Sequence, residues 1–312
     1  MRTTGVAVMA AALVMVAAVV FDLRADPEPA SPSETNMQAA QAFLHMVYVQ
    51  RDAAGAYRLY ADPNFIQHDP TMGDGVAGWL SYFEHRAQHT GEPPQSSWAD
   101  VTDRVIFDGD LVAVHHHMFR SPSDPGRYFF ELWRFKDGKI VEHWDVIQNA
   151  PKQALNAMAC GEGADYASAR RLGHNLDDPS CGRLNPKAER AASLQVVAAY
   201  TTALNEGHVR EAAEKYLAPD FRQHSPHIPD GVQCLVEHLD KSMTDPKVRP
   251  QHIVLHIVAQ NDVVIYHQHT IRPRGDETVQ ADIFKVSNGK IIEHWDVMQV
   301  VQEKTASGHP MW

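Results

Sequence analysis

Acid and imidazole side chains recur at matched places in the two halves of this chain. His143 and Asp145 flank Trp144 in Glu142-His143-Trp144-Asp145-Val146, and His294 and Asp296 flank Trp295 in Glu293-His294-Trp295-Asp296-Val297. His115 and His117 stand two apart, as do His267 and His269, so on a strand each pair shares a face. Glu131 answers to Asp282, and His68 to His224. Imidazole titrates near neutral pH, and a carboxylate either orients it or serves as the base itself. A cavity lined by such groups suits removal of a proton next to a carbonyl. The carboxylate takes the proton, and an imidazole or indole N–H supports the enolate oxygen. Acid–base action of this kind is worth about 10²–10⁴-fold in rate.

The same residues carry structural readings. Matched histidines can be hydrogen-bonded parts of the framework. A tryptophan packed inward at Trp144 or Trp295 would turn His143, Asp145, His294 and Asp296 away from a cavity, toward a place where the two sheets meet. His68 and His224 can serve simply to fix the bend before Pro70 and Pro226. His-x-His with a further histidine and a carboxylate also has the composition of a zinc or iron site. Nothing in the spacing enforces convergence, so neither metal nor cofactor is assigned.

The elements that must position these groups are duplicated. Phe65, Gln67, His68, Pro70, Asp74 and Gly75 recur as Phe221, Gln223, His224, Pro226, Asp230 and Gly231, and Gly138-Lys139-Ile140 and Gln148 recur as Gly289-Lys290-Ile291 and Gln299. Two blocks repeated in the same order mean internal duplication, with a period long enough for each copy to be a small domain. In the first copy, Met37, Ala40, Phe43, Leu44, Val47 and Tyr48 have helical spacing. A second helix is predicted over Ala53–Tyr60, ended by Asp62-Pro63-Asn64. Phe65–His68 reads as a short extended stretch, followed by a third helix at Val76–His89. Four strands are predicted at 101–107, 111–119, 128–135 and 140–147, with turn chemistry at Asp108-Gly109 and Asp137-Gly138. The second copy repeats this order. Helices followed by an antiparallel meander make an α+β layer fold.

The remaining segments set the context. Residues 1–35 hold Arg2, an apolar run over Gly5–Phe21 and a Pro/Ser/Glu spacer, the pattern of a secretory signal or of an uncleaved N-terminal membrane anchor. Both place the body outside the cytoplasm, periplasmic or secreted. Residues 151–191 form a polar linker between domains at 36–150 and 192–300, and 301–312 a tail. Cys160 and Cys181 in an exported linker are most simply a disulfide; Cys234, in an apolar helix, reads as a buried free thiol. The net charge of −11 excludes a nucleic-acid surface, which needs a basic stripe.

The combination Phe-x-Gln-His-x-Pro with Asp-Gly, then Gly-Lys-Ile-x-Glu-His-Trp-Asp-Val-x-Gln, resembles the SnoaL-like polyketide-cyclase group of the nuclear-transport-factor-2-like superfamily. The resemblance covers about residues 36–150 and 192–300. It implies two cone-shaped domains, each a curved antiparallel sheet wrapped by N-terminal helices around a pocket. Such domains commonly pair, so the tandem copies would form a pseudo-dimer within one chain. It further implies cofactor-independent chemistry on a small apolar carbonyl compound, as a cyclase, aldolase or isomerase. The base would be an acid on a sheet strand, which maps to Glu131 and Asp282, with His117 and His269 as companion histidines. The second copy, which keeps aspartate, would be the more typical. A non-catalytic protein that binds a small ligand is the alternative function.

Overall fold

A computed structural model of the chain describes residues 32–89, 97–160 and 163–312. The N-terminal signal or anchor expected before residue 32 lies outside them; no described helix is long and apolar enough to cross a membrane. The first copy runs α1 (Pro32–Leu44), a π-helical turn (His45–Val49), α2 (Ala53–Tyr60), β1 (Ala61–Gln67), α3 (Gly75–His89), β2 (Ala99–Asp108), β3 (Leu111–Phe119), β4 (Arg127–Lys136) and β5 (Lys139–Asn149). A short helix, α4 (Tyr166–Leu172), interrupts the linker. The second copy runs α5 (Arg190–Glu206), α6 (Val209–Tyr216), β6 (Leu217–Gln223), α7 (Val232–Met243), β7 (Gln251–Gln260), β8 (Val263–Ile271), β9 (Glu277–Ser287) and β10 (Lys290–Val300).

Each copy forms a five-stranded sheet, ordered β1-β5-β4-β3-β2 and β6-β10-β9-β8-β7. The meander β2–β5 is antiparallel as expected, but β1 joins β5 in parallel, as β6 joins β10. β1 starts at Ala61, so Asp62-Pro63-Asn64, expected to break the chain, lies inside it. An edge strand tolerates a proline because its outer N–H groups have no ladder partner. The repeated Asp-Gly then closes the turn into α3. Asp74 Oδ1 accepts from Gln67 N–H at 2.9 Å, and Asp230 does the same for Gln223 at 2.7 Å. Gly75 has φ +69°, and a Cβ there would lie 2.2 Å from the Pro63 carbonyl oxygen, so only glycine fits.

Each sheet has two buried faces. The inner faces meet the helices: Phe43, Tyr57, Trp79, Trp133 and Phe135 form one such core, and Val197, Tyr200, Phe221, Leu235 and Phe284 the other. The outer faces pack on each other in a shared core that includes Phe130, Leu132, Trp144 and Val146 with Ile265, Ile283, Trp295 and Val297. A pseudo-two-fold relation runs through it. Arg104 lies 3.5 Å above the Trp295 ring, and its counterpart His256 sits 4.3 Å from Trp144. Gln148 accepts from Met298 N–H, and Gln299 from Ile147 N–H, each at 2.8 Å. The repeated Gln after Trp-Asp-Val is thus an inter-copy cap. Cys160 and Cys181 form the expected disulfide. Cys234 is free but only half-buried.

Because one core serves both sheets, the two copies are expected to unfold in a single transition. Trp295→Ala should cost about 3–5 kcal/mol, with circular dichroism and tryptophan fluorescence still giving coincident urea curves; separate transitions would contradict a shared core.

Candidate functional site

Alternation along β5 decides which groups reach the first cavity. Glu142 and Trp144 point to the outer face, where His68 bonds Glu142 and stacks on Trp144 at 4.9 Å. His143 and Asp145 therefore point inward, beneath the helices. They join Glu131, whose Cα is the ladder partner of Asp145. The cavity measures about 1250 Å³, and Tyr57, Asp69, His116, Glu131, His143 and Asp145 line its polar floor. The second copy holds a cavity of about 590 Å³ with Gln268, Asp282, His294 and Asp296 at the matching places. Trp144 and Trp295 thus face away from the cavities, and His143, Asp145, His294 and Asp296 face in.

The strand histidines divide differently from the expectation. His115 and His117 share a face, but it is the outer one. His117 gives Nδ1 to Asp103 Oδ2 at 2.7 Å, and its Nε2 meets the Gly163 carbonyl at 2.8 Å. Burial opposes charge on His117, yet the carboxylate and the carbonyl together raise its pKa. His115 lies against Arg104 at 3.3 Å, and burial first, then that guanidinium, holds it down at about 3. His267 likewise falls to about 3 through burial, beside His256. His269 pairs with Glu277 at 2.7 Å and stacks on Trp312. All four are framework groups away from the cavities. The histidine that enters the first cavity is His116, which stacks on Phe129 at 4.6 Å. Neither ring nitrogen has a hydrogen-bond partner among the described residues, Nε2 standing 3.6 Å from Glu131 Oε1.

A fixed relay runs from the repeated glutamine. Gln67 Oε1 accepts from Asp69 N–H at 2.9 Å, which identifies that atom as the amide oxygen. It also accepts from His143 Nδ1 at 3.0 Å, so Nδ1 carries a proton and Nε2 faces Glu131 Oε2 at 2.8 Å. Burial alone would raise Glu131, but the close approach of the His116 and His143 imidazoles outweighs it and holds the carboxylate well below its usual range. Asp145 is pushed the other way. Burial first, then the charges of Asp69 and Glu131, raise it well above the usual carboxylate range, and a hydrogen bond with Asp69 adds to the rise. Asp69 and Asp145 both line the cavity. Asp145 Oδ1 has no partner among the described residues. Asp69 Oδ1 is fixed by Thr71 N–H and O–H, both at 2.5 Å.

The second copy keeps the relay and loses the freedom. Gln223 Oε1 bridges Ser225 N–H and His294 Nδ1, and His294 Nε2 meets Asp282 Oδ1 at 3.1 Å. Gln268, in the place of His116, and Gln280, in the place of Phe129, both donate to Asp282 Oδ2, at 2.6 and 2.7 Å. Burial would raise Asp282, but His294 first, then the Gln280 hydrogen bond and the His252 charge, lower it. Asp296 is raised, chiefly by burial, but it meets Ser225 rather than a second carboxyl. Asp69, His116 and Gln67 were not among the expected catalytic groups. Gln67 and Gln223 stood in the repeated motif, and Asp69 against Ser225 was a visible departure between copies. His68 and His224 sit on the outer face, stacked on Trp144 and Trp295.

Three comparisons bear on this arrangement. The family described as "SnoaL-like domain" matches residues 40–143 and again 197–294. Among solved structures, an NTF2-like protein of unknown function from Mesorhizobium loti is similar at 13% identity over 37% of this chain and 98% of its own, with a TM-score of 0.32. TsrD from Streptomyces laurentii is similar at 21% identity over 36% and 92%, with a TM-score of 0.31. An LEH-like epoxide hydrolase from M. tuberculosis is similar at 15% identity over 35% and 84%, with a TM-score of 0.30.

The opposite shifts of Glu131 and Asp145 give stability effects of opposite sign. A depressed carboxylate stabilises the fold above its unfolded-state pKa and loses that contribution as pH falls through its folded value. Glu131→Gln should therefore be destabilising by about 3 kcal/mol at neutral pH, with the difference from the parent shrinking in acid. A raised carboxyl keeps its proton longer when folded, so stability falls as pH rises from its unfolded toward its folded pKa. Asp145→Asn should remove that decline and gain stability relative to the parent as pH rises. Urea midpoints across the pH range check both, and equal pH dependence in the two variants would refute the assignment.

Proposed function

The chain belongs to the SnoaL-like domain family, and on that premise we propose that its first copy is a cofactor-independent acid–base catalyst, a cyclase, aldolase or isomerase acting on a small apolar carbonyl compound. The observation that carries this is the unpartnered oxygen of Asp145, on a carboxyl raised well above its usual range and facing a cavity large enough for such a ligand. A carboxyl tuned upward is a stronger base once ionised than an ordinary one, and catalytic power peaks when the pKa nears the working pH. Glu131, first expected to be the base, is ion-paired and depressed, so we assign it to orienting His143.

The step balances within the site. Ionised Asp145 takes a proton from the carbon next to the carbonyl, forming its O–H bond. The C–H electron pair moves into the new C=C bond, and the carbonyl pair moves onto oxygen. His116, whose ring has no protein partner, donates to that enolate oxygen. Where the carbonyl is conjugated, the dienolate takes the proton back from Asp145 at the γ carbon, which is isomerisation; alternatively the α carbon attacks a second carbonyl of the same molecule, whose π pair moves onto its oxygen and takes the proton from Asp145, which is cyclisation. Catalysis of this sort needs groups placed beforehand rather than rearranged during reaction, and the Gln67–His143–Glu131 relay meets that need.

The second copy supports a different reading. Asp296, the counterpart of Asp145, is also raised by burial and has one oxygen without a partner among the described residues, but Gln268 stands where the first copy has His116 and is committed to Asp282; the donor assigned to the enolate is therefore missing, and we propose that this cavity binds a small ligand without turning it over. This reverses the preference for the aspartate-bearing copy. Units 36–150 and 192–300, joined by 151–191, are proposed as the domains. The disulfide is consistent with an extracellular location, and we propose that the chain is exported.

The test is a screen of small carbonyl compounds by thermal shift and turnover, repeated on two variants. Asp145→Asn should lower kcat by about 10²–10⁴-fold with binding kept, and Asp282→Asn should leave turnover within a few-fold of the parent. The parent's kcat/KM should rise with pH along a limb set above the ordinary carboxylate range. Loss of turnover in Asp282→Asn but not in Asp145→Asn would overturn the assignment; binding without turnover of any carbonyl compound by the parent would favour the non-catalytic function for both cavities.

A further inference from the structure

We infer that the tail following β10 is a positioning strap for the acid pair of the first copy, so that this site is completed by residues of the second. The inference rests on the proposed role of Asp145, and it stands on a continuous set of contacts. The tail leaves the second copy and crosses to the β1–α3 loop of the first. Ala306 N–H donates to the Pro70 carbonyl at 2.9 Å. His68 donates from Nδ1 to the Pro310 carbonyl at 2.6 Å. His309 Nε2 meets Asp74 Oδ2 at 3.0 Å. These three ties bracket the loop that carries Asp69. The other oxygen of Asp74 holds Gln67 N–H, and Gln67 in turn holds Asp69 N–H and His143. The tail therefore reaches Asp145 through one loop on one side and one glutamine on the other. His227, Thr278, Met298, Gln299 and Val300 of the second copy also form part of the same cavity's wall.

The pseudo-two-fold relation makes the strap a matched device. The linker after β5 crosses the other way, with Leu155 N–H on the Pro226 carbonyl at 2.8 Å and His224 Nδ1 on the Ala157 carbonyl at 3.0 Å. That strap holds a loop whose matching residue is Ser225, so it secures no carboxyl pair. The cavity of the second copy is lined only by residues between Tyr200 and Met298. The dependence therefore runs one way: copy two supplies wall and strap to copy one's acid pair. Asp69 and Asp145 are both nearly inaccessible, and the charges facing Asp145 are Asp69 and Glu131. Loosening the loop would admit water to the pair and weaken the interaction between its members.

The experiment uses the full chain with two tail variants. His309→Ala removes the contact to Asp74 from a partly exposed side chain, and Ala306→Pro removes the N–H that reaches Pro70, with Ala306→Ser as the control that keeps it. Two readouts need no substrate. Amide exchange at Gln67, Asp69 and Thr71 should speed by about tenfold in His309→Ala and Ala306→Pro, as for a locally opened segment, while Gln223 and Ser225 of the second copy stay as in the parent. The infrared band of the protonated Asp145 carboxyl, identified by its loss in Asp145→Asn, should disappear at a lower pH than in the parent. A lower melting temperature with both readouts unchanged would make the tail merely a structural brace and overturn the inference, as would no change in anything measured. If these readouts move but the parent turns over no carbonyl compound, the strap stands and the proposed reaction falls. If Asp145→Asn abolishes turnover while the tail variants match the parent throughout, the reverse holds.

Discussion

The packing of Trp144 and Trp295 between the two sheets is the constraint on which the site depends. A strand sends successive side chains to opposite faces. Once each indole is committed to the shared core, the histidine and aspartate beside it have nowhere to go but the cavity. Burial of Asp145 is thus a consequence of how the two copies dock. The tryptophans fill the core between the sheets, and the carboxyl is desolvated on the opposite face, beneath the helices. Stability and acid–base tuning are thus linked through the strand alternation; on the outer face His267 packs on Phe130 and Trp144 of the other copy, while His117 meets the linker at Gly163 and His269 the tail at Trp312.

Duplication then allows the two copies to diverge on a common frame. Both retain the Gln–His–acid relay, the Asp-Gly turn and the crossing strap. Differences on the cavity floor include His116 against Gln268, Phe129 against Gln280, and Asp69 against Ser225. In the first copy these leave an imidazole without a hydrogen bond among the described residues and two carboxyls lining one cavity. In the second they surround Asp282 with amide donors, and a carboxylate that already accepts three hydrogen bonds is held in its charged form. The same fold thus carries two cavities whose acids meet different neighbours.

Much of this was legible before any coordinates. The two repeated blocks fixed the duplication, β-branched and aromatic runs marked the meanders, and the two linker cysteines pair as expected. The inward face was harder to read. β3 is buried on both sides, so His115-His116-His117 offers no apolar–polar alternation to say which residue turns inward. The parallel β1–β5 pair was hidden because Pro63 and Asn64 look like a break, and only the approach of β5 explains why they are extended. Asp69 was seen as a difference between copies, but a pair of carboxyls brought together by the end of β5 and a loop after β1 leaves no local mark in the chain.

The central claim is that Glu131 and Asp145, ladder partners on neighbouring strands, are driven apart in proton affinity by opposite surroundings. Carbon-13 shifts of the two carboxyl carbons, followed against pH in the intact protein and assigned through Glu131→Gln and Asp145→Asn, test it most directly. The account predicts that Glu131 titrates below the ordinary carboxylate range and Asp145 well above it. Asp145 titrating at or below Glu131 would contradict it.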